Sequence, residues 1–252
     1  LNIPDASLRF YPYNGYGDPM FLRHLIKTEK PDAILHFTDP RYWIWLYQME
    51  HEIRDTIPLL FYHVWDDLPF PMYNKEYYLS CDYIACISKQ TYNIVRNVAP
   101  ELDGWQAQYV PHGINENHFF PLSKEEDLKR VSELRKHFFG DEDVEFVVFY
   151  NNRNIRRKMT GDVVLAYQKF LKSLPAEKRD KCRLLLHTQP VDENGTDLVR
   201  LIKDVAPEIK VVFSVDRVDN QRLNDMYNMV DVTINLASNE GFGLGTAESL
   251  MA

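Results

Sequence analysis

Cysteine is scarce in this chain: Cys81, Cys86 and Cys182 are the only ones among 252 residues. An odd count without metal-type spacing excludes a disulfide framework and fits a reducing compartment. A basic surplus is missing too. The formal net charge of −8 argues against a nucleic-acid binder, whose partner demands a basic face. It also disfavours an anionic membrane surface as a general partner, while leaving a local basic patch and a peripheral membrane contact open. No apolar run approaches the roughly 20 residues needed to cross a bilayer; stretches such as 145–150 are strand-sized. The N-terminus carries no signal-peptide pattern. These absences together predict a cytoplasmic protein. Internal repeats and low-complexity segments are also lacking.

What is present is alternation. Hydrophobic residues make up 45% and charged residues 26%, which suits a globular chain long enough for two cores. Short apolar runs alternate with longer amphipathic stretches, the pattern of a parallel sheet covered by helices. Strands are expected at 33–37, 59–63, 83–88 and 108–110, with helices at 20–30, 42–54 and 90–99. The stretch 111–124 holds two prolines, one glycine and few aliphatic residues, and reads as a boundary. A charged helix follows at 124–139, with Leu128, Val131, Leu134, Phe138 and Phe139 on or near one face. A second series then predicts strands at 144–150, 183–188, 209–215 and 232–236, and helices at 162–173, 196–205 and 221–229. The expected architecture is α/β with two Rossmann-like domains, 1–120 and 121–252. The acidic Asp141-Glu142-Asp143 resembles a metal-binding carboxylate pair in spacing but reads better as a solvated turn. The Leu1-Asn2-Ile3-Pro4 start completes no first strand–loop–helix unit, and the last helix has run about two turns when the sequence stops. Both domains are therefore expected to be incomplete at their outer ends.

The chemistry concentrates near the C-terminus. Asn239-Glu240-Gly241-Phe242-Gly243-Leu244-Gly245-Thr246-Ala247-Glu248 places two carboxylates on either side of a glycine-rich turn that runs into a helix start. The glycines permit a close backbone approach to a ligand. Thr246 is the expected N-cap, and the N–H groups of the first turn would face an anion. The glutamates can accept hydrogen bonds from the paired hydroxyls of sugars and riboses. A glycine cluster before a helix is also common without a ligand. The loop after the 144–150 strand adds a second signal: Arg153, Arg156, Arg157 and Lys158 gather four cations in an acidic chain. A diphosphate needs such charge if no metal neutralises it, because Arg forks onto two phosphate oxygens and Lys supplies a compact point charge. The plainer reading is a solvated basic loop. Both loops leave the carboxyl ends of predicted strands in one sheet, where open α/β sheets bind ligands.

Glu240 and Glu248, with seven residues between them in a Glu-Gly-Phe-Gly-Leu context, resemble the hallmark of retaining nucleotide-sugar glycosyltransferases of the GT-B fold, the family-4-like group. Other pieces match in order: Arg153 with Lys158, the Tyr109–Asn115 junction, the Cys81–Ser88 element and Met226-Tyr227 through Asp231-Val232. The resemblance implies two Rossmann-like domains with parallel sheets facing a central cleft. It implies a hexosyl transfer from a UDP- or GDP-sugar to a hydroxyl acceptor, with no metal and no further cofactor. By that resemblance Glu240 contacts the donor sugar, Glu248 the nucleotide ribose, and Arg153 and Lys158 the diphosphate. Phe242, Gly243 and Leu244 bring backbone up to the sugar and diphosphate, and His63 sits near the reacting centre. Asp39 faces the acceptor, although an Asx turn before Pro40 explains it nearly as well. Tyr13-Asn14-Gly15-Tyr16-Gly17 does not match the family's N-terminal glycine-rich loop and reads as a turn. Three rivals stand beside a transferase: a nucleotide-sugar or glycan-binding module without turnover, a GT-B-fold epimerase, and a phosphorylase.

Overall fold

The computed structural model describes residues 7–140 and 143–252. Residues 1–4 and the Asp141-Glu142 part of the acidic turn lie outside them. The chain divides into two compact units between His112 and Gly113. That division falls at the start of the 111–124 stretch and ahead of the 120/121 limit expected for the domains. Ile114 and Phe119 pack into the core of the second unit, which is why the segment goes with it.

The first unit begins with helix α1 (Pro19–Glu29), capped by Asp18 through the N–H of Phe21. Strand β1 (Ile34–Phe37) follows, then α2 (Ile44–Gln48), α3 (Glu50–Arg54), β2 (Leu59–His63), α4 (Lys75–Leu79), β3 (Tyr83–Cys86), α5 (Lys89–Val98) and β4 (Ala107–Tyr109). The helix expected at 42–54 is broken at Met49. The break lets Leu46, Tyr47, Met49 and Ile53 all enter the core. The strands are parallel in the order β1-β2-β3-β4. Each crossover steps the same way, and right-handed crossovers then carry the connecting helices to one face. Leu59, Phe61, Ile84 and Cys86 pack there against Ile53, Tyr78, Ile94 and Val95. On the other face Leu35 and Phe37 are each 61% exposed.

The second unit runs α6 (Glu125–Phe139), β5 (Phe146–Asn151), α7 (Thr160–Ser173), α8 (Ala176–Arg179), β6 (Cys182–His187), α9 (Leu198–Val205), β7 (Val211–Ser214), α10 (Asn220–Met229), β8 (Val232–Thr233) and α11 (Leu244–Met251). On α6, Leu134 and Phe139 are buried and Val131 and Phe138 pack against the core, while Leu128 stays exposed. The parallel order is β7-β6-β5-β8. The chain steps outward from β5 to β7, then returns to the other side of β5. Helices consequently cover both faces, with one core around Tyr150, Leu184, Leu186 and Val163 and another around Phe149, Leu185, Met226 and Tyr227. Such a sheet needs apolar residues on both sides of its central strands, and Val147, Phe149, Tyr150 and Leu184 through Leu186 are fully buried.

Both units fix strand register with the same device. Asp82 precedes β3; its carboxylate accepts from the Leu59 N–H at 2.8 Å and its own N–H donates to the Leu59 carbonyl. Asp231 precedes β8 and does the same to Val147, with the carboxylate 2.7 Å from the N–H. Asp231→Ala leaves the buried Val147 N–H without that acceptor and is expected to cost about 1–3 kcal/mol. Denaturant unfolding of the variant beside the parent chain measures it.

Candidate functional site

The reversal of strand order in the second unit lies between β5 and β8. At a switch point of this kind the loops leaving neighbouring strands diverge and open a crevice at their carboxyl ends. The loop after β5 carries the basic cluster, and the loop after β8 carries the glycine-rich turn. The expected strand at 232–236 is cut to Val232–Thr233. Asn235 turns the chain by accepting the Ala237 N–H on its side-chain oxygen at 3.0 Å, an Asx turn.

Each loop is held from beneath. The buried Tyr150 hydroxyl meets Thr160 Oγ1 at 2.7 Å and donates to the Lys158 carbonyl. This fixes the short 3-10 turn Arg156–Lys158 over the end of β5. Asn154, only 1% exposed, donates to the carbonyls of Thr196 and Gln189 and accepts the Thr196 N–H. The Arg156 N–H donates to the Asn194 carbonyl. Gly195 lies so close beneath that a Cβ there would stand 2.0 Å from the Asn154 carbonyl oxygen. The two site loops are also joined directly. Ser238 N–H donates to the Arg157 carbonyl, and the Arg157 guanidinium to the Asn239 carbonyl at 2.9 Å.

The consequence is a charged contact between the two loops. Lys158, 9% exposed, donates from Nζ to Glu240 Oε1 at 2.5 Å. Arg157 stands 3.6 Å from Glu240 Oε2, and Asn235 Nδ2 reaches both Glu240 Oε1 at 3.4 Å and Thr246 Oγ1 at 3.0 Å. Thr246 is therefore not the N-cap. The helix starts at Leu244 behind Gly243, whose φ of +84° is the left-handed conformation open to glycine, and no side chain caps it. The Thr246 hydroxyl is instead taken by Asn235. Phe242 is half-buried on the loop crown, and Leu244 is exposed. Glu248 receives the Tyr227 hydroxyl at 2.9 Å, and Tyr227 in turn receives the Asn151 amide at 2.8 Å.

The structure thus brings Lys158, Glu240 and Gly243 together and places Glu248 on the helix just beyond. Arg153 does not share a partner with Lys158: its guanidinium, with a side chain 64% exposed, pairs with Asp192 at 2.9 Å and holds that carboxyl below its ordinary range. Sequence reasoning gave no role to Asn154, Asn235, Asn151 or Arg157. Arg157 stood inside the basic cluster, whereas nothing in the spacing of the asparagines marks them.

In the first unit, His63 ends β2 and is 1% exposed. Its Nε2 pairs with the Tyr78 hydroxyl at 2.7 Å, and its buried Nδ1 has no hydrogen-bond partner among the described residues. Burial pushes its pKa down to about 3, opposed by nearby Asp39. His36 is alike, with Nδ1 on the Tyr47 hydroxyl at 2.7 Å and a pKa lowered to about 4 by burial. The two imidazoles flank the Phe61 ring. Both are neutral near pH 7, so each can exchange hydrogen bonds there but carries no charge. Asp39 forms the Asx turn onto the Arg41 N–H and also grips the Arg41 guanidinium at 2.5 Å. Arg41 lies 5.0 Å over the Trp65 ring. Among the described residues no three His, Cys, Asp or Glu side chains gather as metal ligands would. No helix among them is long and apolar enough to cross a membrane.

No family model and no curated protein matches this sequence. Solved structures do. The N-terminal domain of Candida albicans trehalose-6-phosphate phosphatase aligns with a TM-score of 0.68 at 15% identity, over 92% of this chain and 56% of that one. An E. coli trehalose-6-phosphate protein bound with UDP-2-fluoro glucose aligns at 0.64 and 13%, over 92% and 58%. The UDP-forming α,α-trehalose-phosphate synthase of Burkholderia xenovorans, in complex with glucose-6-phosphate, aligns at 0.63 and 10%, over 92% and 59%. At these identities the likeness is one of fold, the GT-B fold of two Rossmann-like units. The chain spans less than two thirds of the length of each.

Two outcomes follow from the packing around the site. Gly195→Ala forces the Asn154 backbone to move and is expected to cost about 2 kcal/mol, measured by thermal or denaturant unfolding. The histidines set a pH slope. Their folded pKa values lie below the unfolded value near 6.5, so the unfolded chain binds protons that the folded chain refuses. Stability is therefore expected to fall as pH drops from about 6.5 towards 4. Replacing His36 and His63 together with Asn should flatten that slope in urea titrations at pH 7 and pH 5.

Proposed function

We propose that this chain carries the donor site of a retaining glycosyltransferase. Such an enzyme moves a hexosyl group from a UDP- or GDP-sugar to a hydroxyl acceptor without a metal. The observation that carries this reading is the contact of Lys158 with Glu240 at the strand-order reversal. It sets a cation suited to phosphate beside a carboxylate suited to sugar hydroxyls, at the edge where such sheets receive ligands.

In this reading the Lys158 ammonium stabilises the negative charge that grows on the departing diphosphate. It is fixed before the reaction by the turn that Tyr150 anchors, so little reorganisation is needed as charge develops. The α11 N-terminus, uncapped by any side chain, adds favourable dipole at the same place. Arg153 contributes a second cation on leaving Asp192. Glu240 turns from Lys158 to accept donor-sugar hydroxyls, and Glu248 accepts from the ribose. Gly243 allows the backbone of Phe242 and Leu244 to approach the sugar. His63, neutral and buried, serves the reacting centre as a hydrogen-bonding group. Asp39 serves the acceptor side. Similar folds bound with UDP-2-fluoro glucose and with glucose-6-phosphate support a nucleotide-sugar donor and a sugar-type acceptor. The free thiols of Cys81, Cys86 and Cys182 support a cytoplasmic setting.

A second reading is favoured by the likeness to the N-terminal domain of a protein named as a phosphatase. In this second reading the site of the present chain binds a nucleotide sugar without turning it over. Mixing the chain with donor and candidate acceptors separates the two, since a module binds without releasing nucleoside diphosphate.

The donor site is tested by thermal shift and calorimetry with UDP, GDP and their sugars. A ligand present at a hundred times its Kd adds about 2.7 kcal/mol of stability, so the unfolding midpoint should rise by several degrees. Lys158→Ala is expected to weaken nucleoside diphosphate binding about thirtyfold or more, and Arg153→Ala to weaken it less. No stabilisation of the parent chain by any of these ligands would sink the reading.

A further inference from the structure

Glu248 is not oriented by its own helix alone. Three elements meet at the Tyr227 hydroxyl: Asn151 closes β5, Tyr227 comes from α10, and Glu248 from α11. The Asn151 amide donates to the hydroxyl at 2.8 Å, and the hydroxyl meets Glu248 Oε2 at 2.9 Å. The direction of the chain is fixed by chemistry. An amide nitrogen can only donate, so the phenol accepts from it and has its single proton left for the carboxylate. Burial, outweighing the opposing hydrogen bond from Asn151, raises the phenol pKa and keeps that proton in place.

The ring itself has little freedom. Tyr227 is 5% exposed and packs edge-on against Phe149 and Phe119, with centroids 5.5 Å and 6.1 Å away. Gly245 admits the close approach of α11, since a Cβ there would stand 3.2 Å from the Asn151 carbonyl oxygen and 3.5 Å from the Tyr227 hydroxyl. The helix bearing Glu248 is thus seated on the end of the central strand, with the relay between them.

We propose that Tyr227, set by Asn151, is the positioning residue for Glu248: it holds Oε2 and leaves Oε1 turned to accept from the vicinal diol of a ribose. This rests on the donor-site reading above and assigns that site a residue that touches no ligand. One carboxylate oxygen pinned by a buried donor lowers the number of rotamers that Glu248 must give up on binding. The discrimination between ribose and deoxyribose should then depend on Tyr227, while binding of the diphosphate should not.

The test is calorimetry of the full chain with UDP and GDP and with their 2′,3′-dideoxy counterparts. The parent chain should prefer the ribonucleotides. Tyr227→Phe, which keeps the ring and its packing, should lower affinity for the ribonucleotides about tenfold and leave the dideoxy affinity unchanged. Glu248→Ala should erase the preference, and adding Tyr227→Phe to it should change nothing more. Asn151→Ala tests the relay from its other end and should lose part of the preference. If Tyr227→Phe weakens all ligands equally, or leaves the preference intact, the positioning role is overturned while the donor site stands. If the parent chain binds nucleoside diphosphates without distinguishing ribose, the role of Glu248 fails and this proposal with it. If the parent chain binds none of them, the donor-site reading is what fails, and the positioning role falls as its consequence.

Discussion

A largely buried ammonium facing a carboxylate sets the terms for the second unit. Lys158 is too enclosed to be solvated as a surface lysine is, so it needs a partner of opposite charge or the site would carry an uncompensated cation. Glu240 supplies it from a loop 82 positions away in sequence. For that meeting to occur, β5 and β8 must be neighbours and parallel, and both loops must leave at the same edge. The Arg157, Ser238 and Asn239 contacts, the Asn154 staple and the Tyr150 anchor all act to keep those two loops in register. An anion placed there would compete with Glu240 for the same ammonium, so anion binding and release of that carboxylate are linked.

The two units solve the same packing problem with different consequences. In the first, strand order follows chain order, so the connecting helices gather on one face. In the second, the order reverses at β5, helices cover both faces, and the loops after β5 and β8 leave side by side at the reversal. Each unit nevertheless uses an aspartate just ahead of a strand to grasp a backbone N–H of its neighbour. The Cys81–Ser88 and Asp231-Val232 pieces that suggested a family resemblance therefore have a structural task apart from any ligand. Matching such motifs argues for the fold more strongly than for the reaction.

Most strands were legible because buried parallel strands are short runs of apolar residues on both faces, a pattern that a linear reading detects. Leu59–His63 is reproduced residue for residue. Two of the readings that failed share one cause, a polar side chain reaching outside its own element. Asn235 ends β8 early and takes the Thr246 hydroxyl, and Gly243, not Thr246, stands at the N-cap of the last helix. The break at Met49 follows from core packing, with no glycine or proline in the 42–54 segment to announce it. At the site, the glycines, glutamates and basic cluster were visible as residue types, whereas Asn151, Asn154 and Asn235 became meaningful only through what they touch.

The sequence by itself determined the α/β alternation, the break into two units and the residue types that suit a sugar attached to a diphosphate. Those follow from hydrophobic period and side-chain chemistry, which are local properties. Tertiary structure alone decided that Lys158 and not Arg153 faces Glu240, that His63 is buried and neutral, and that Glu248 hangs from Tyr227. Each of these depends on strand order and on burial. Two residues with the same charge in one loop differ only in which neighbour the fold brings within reach.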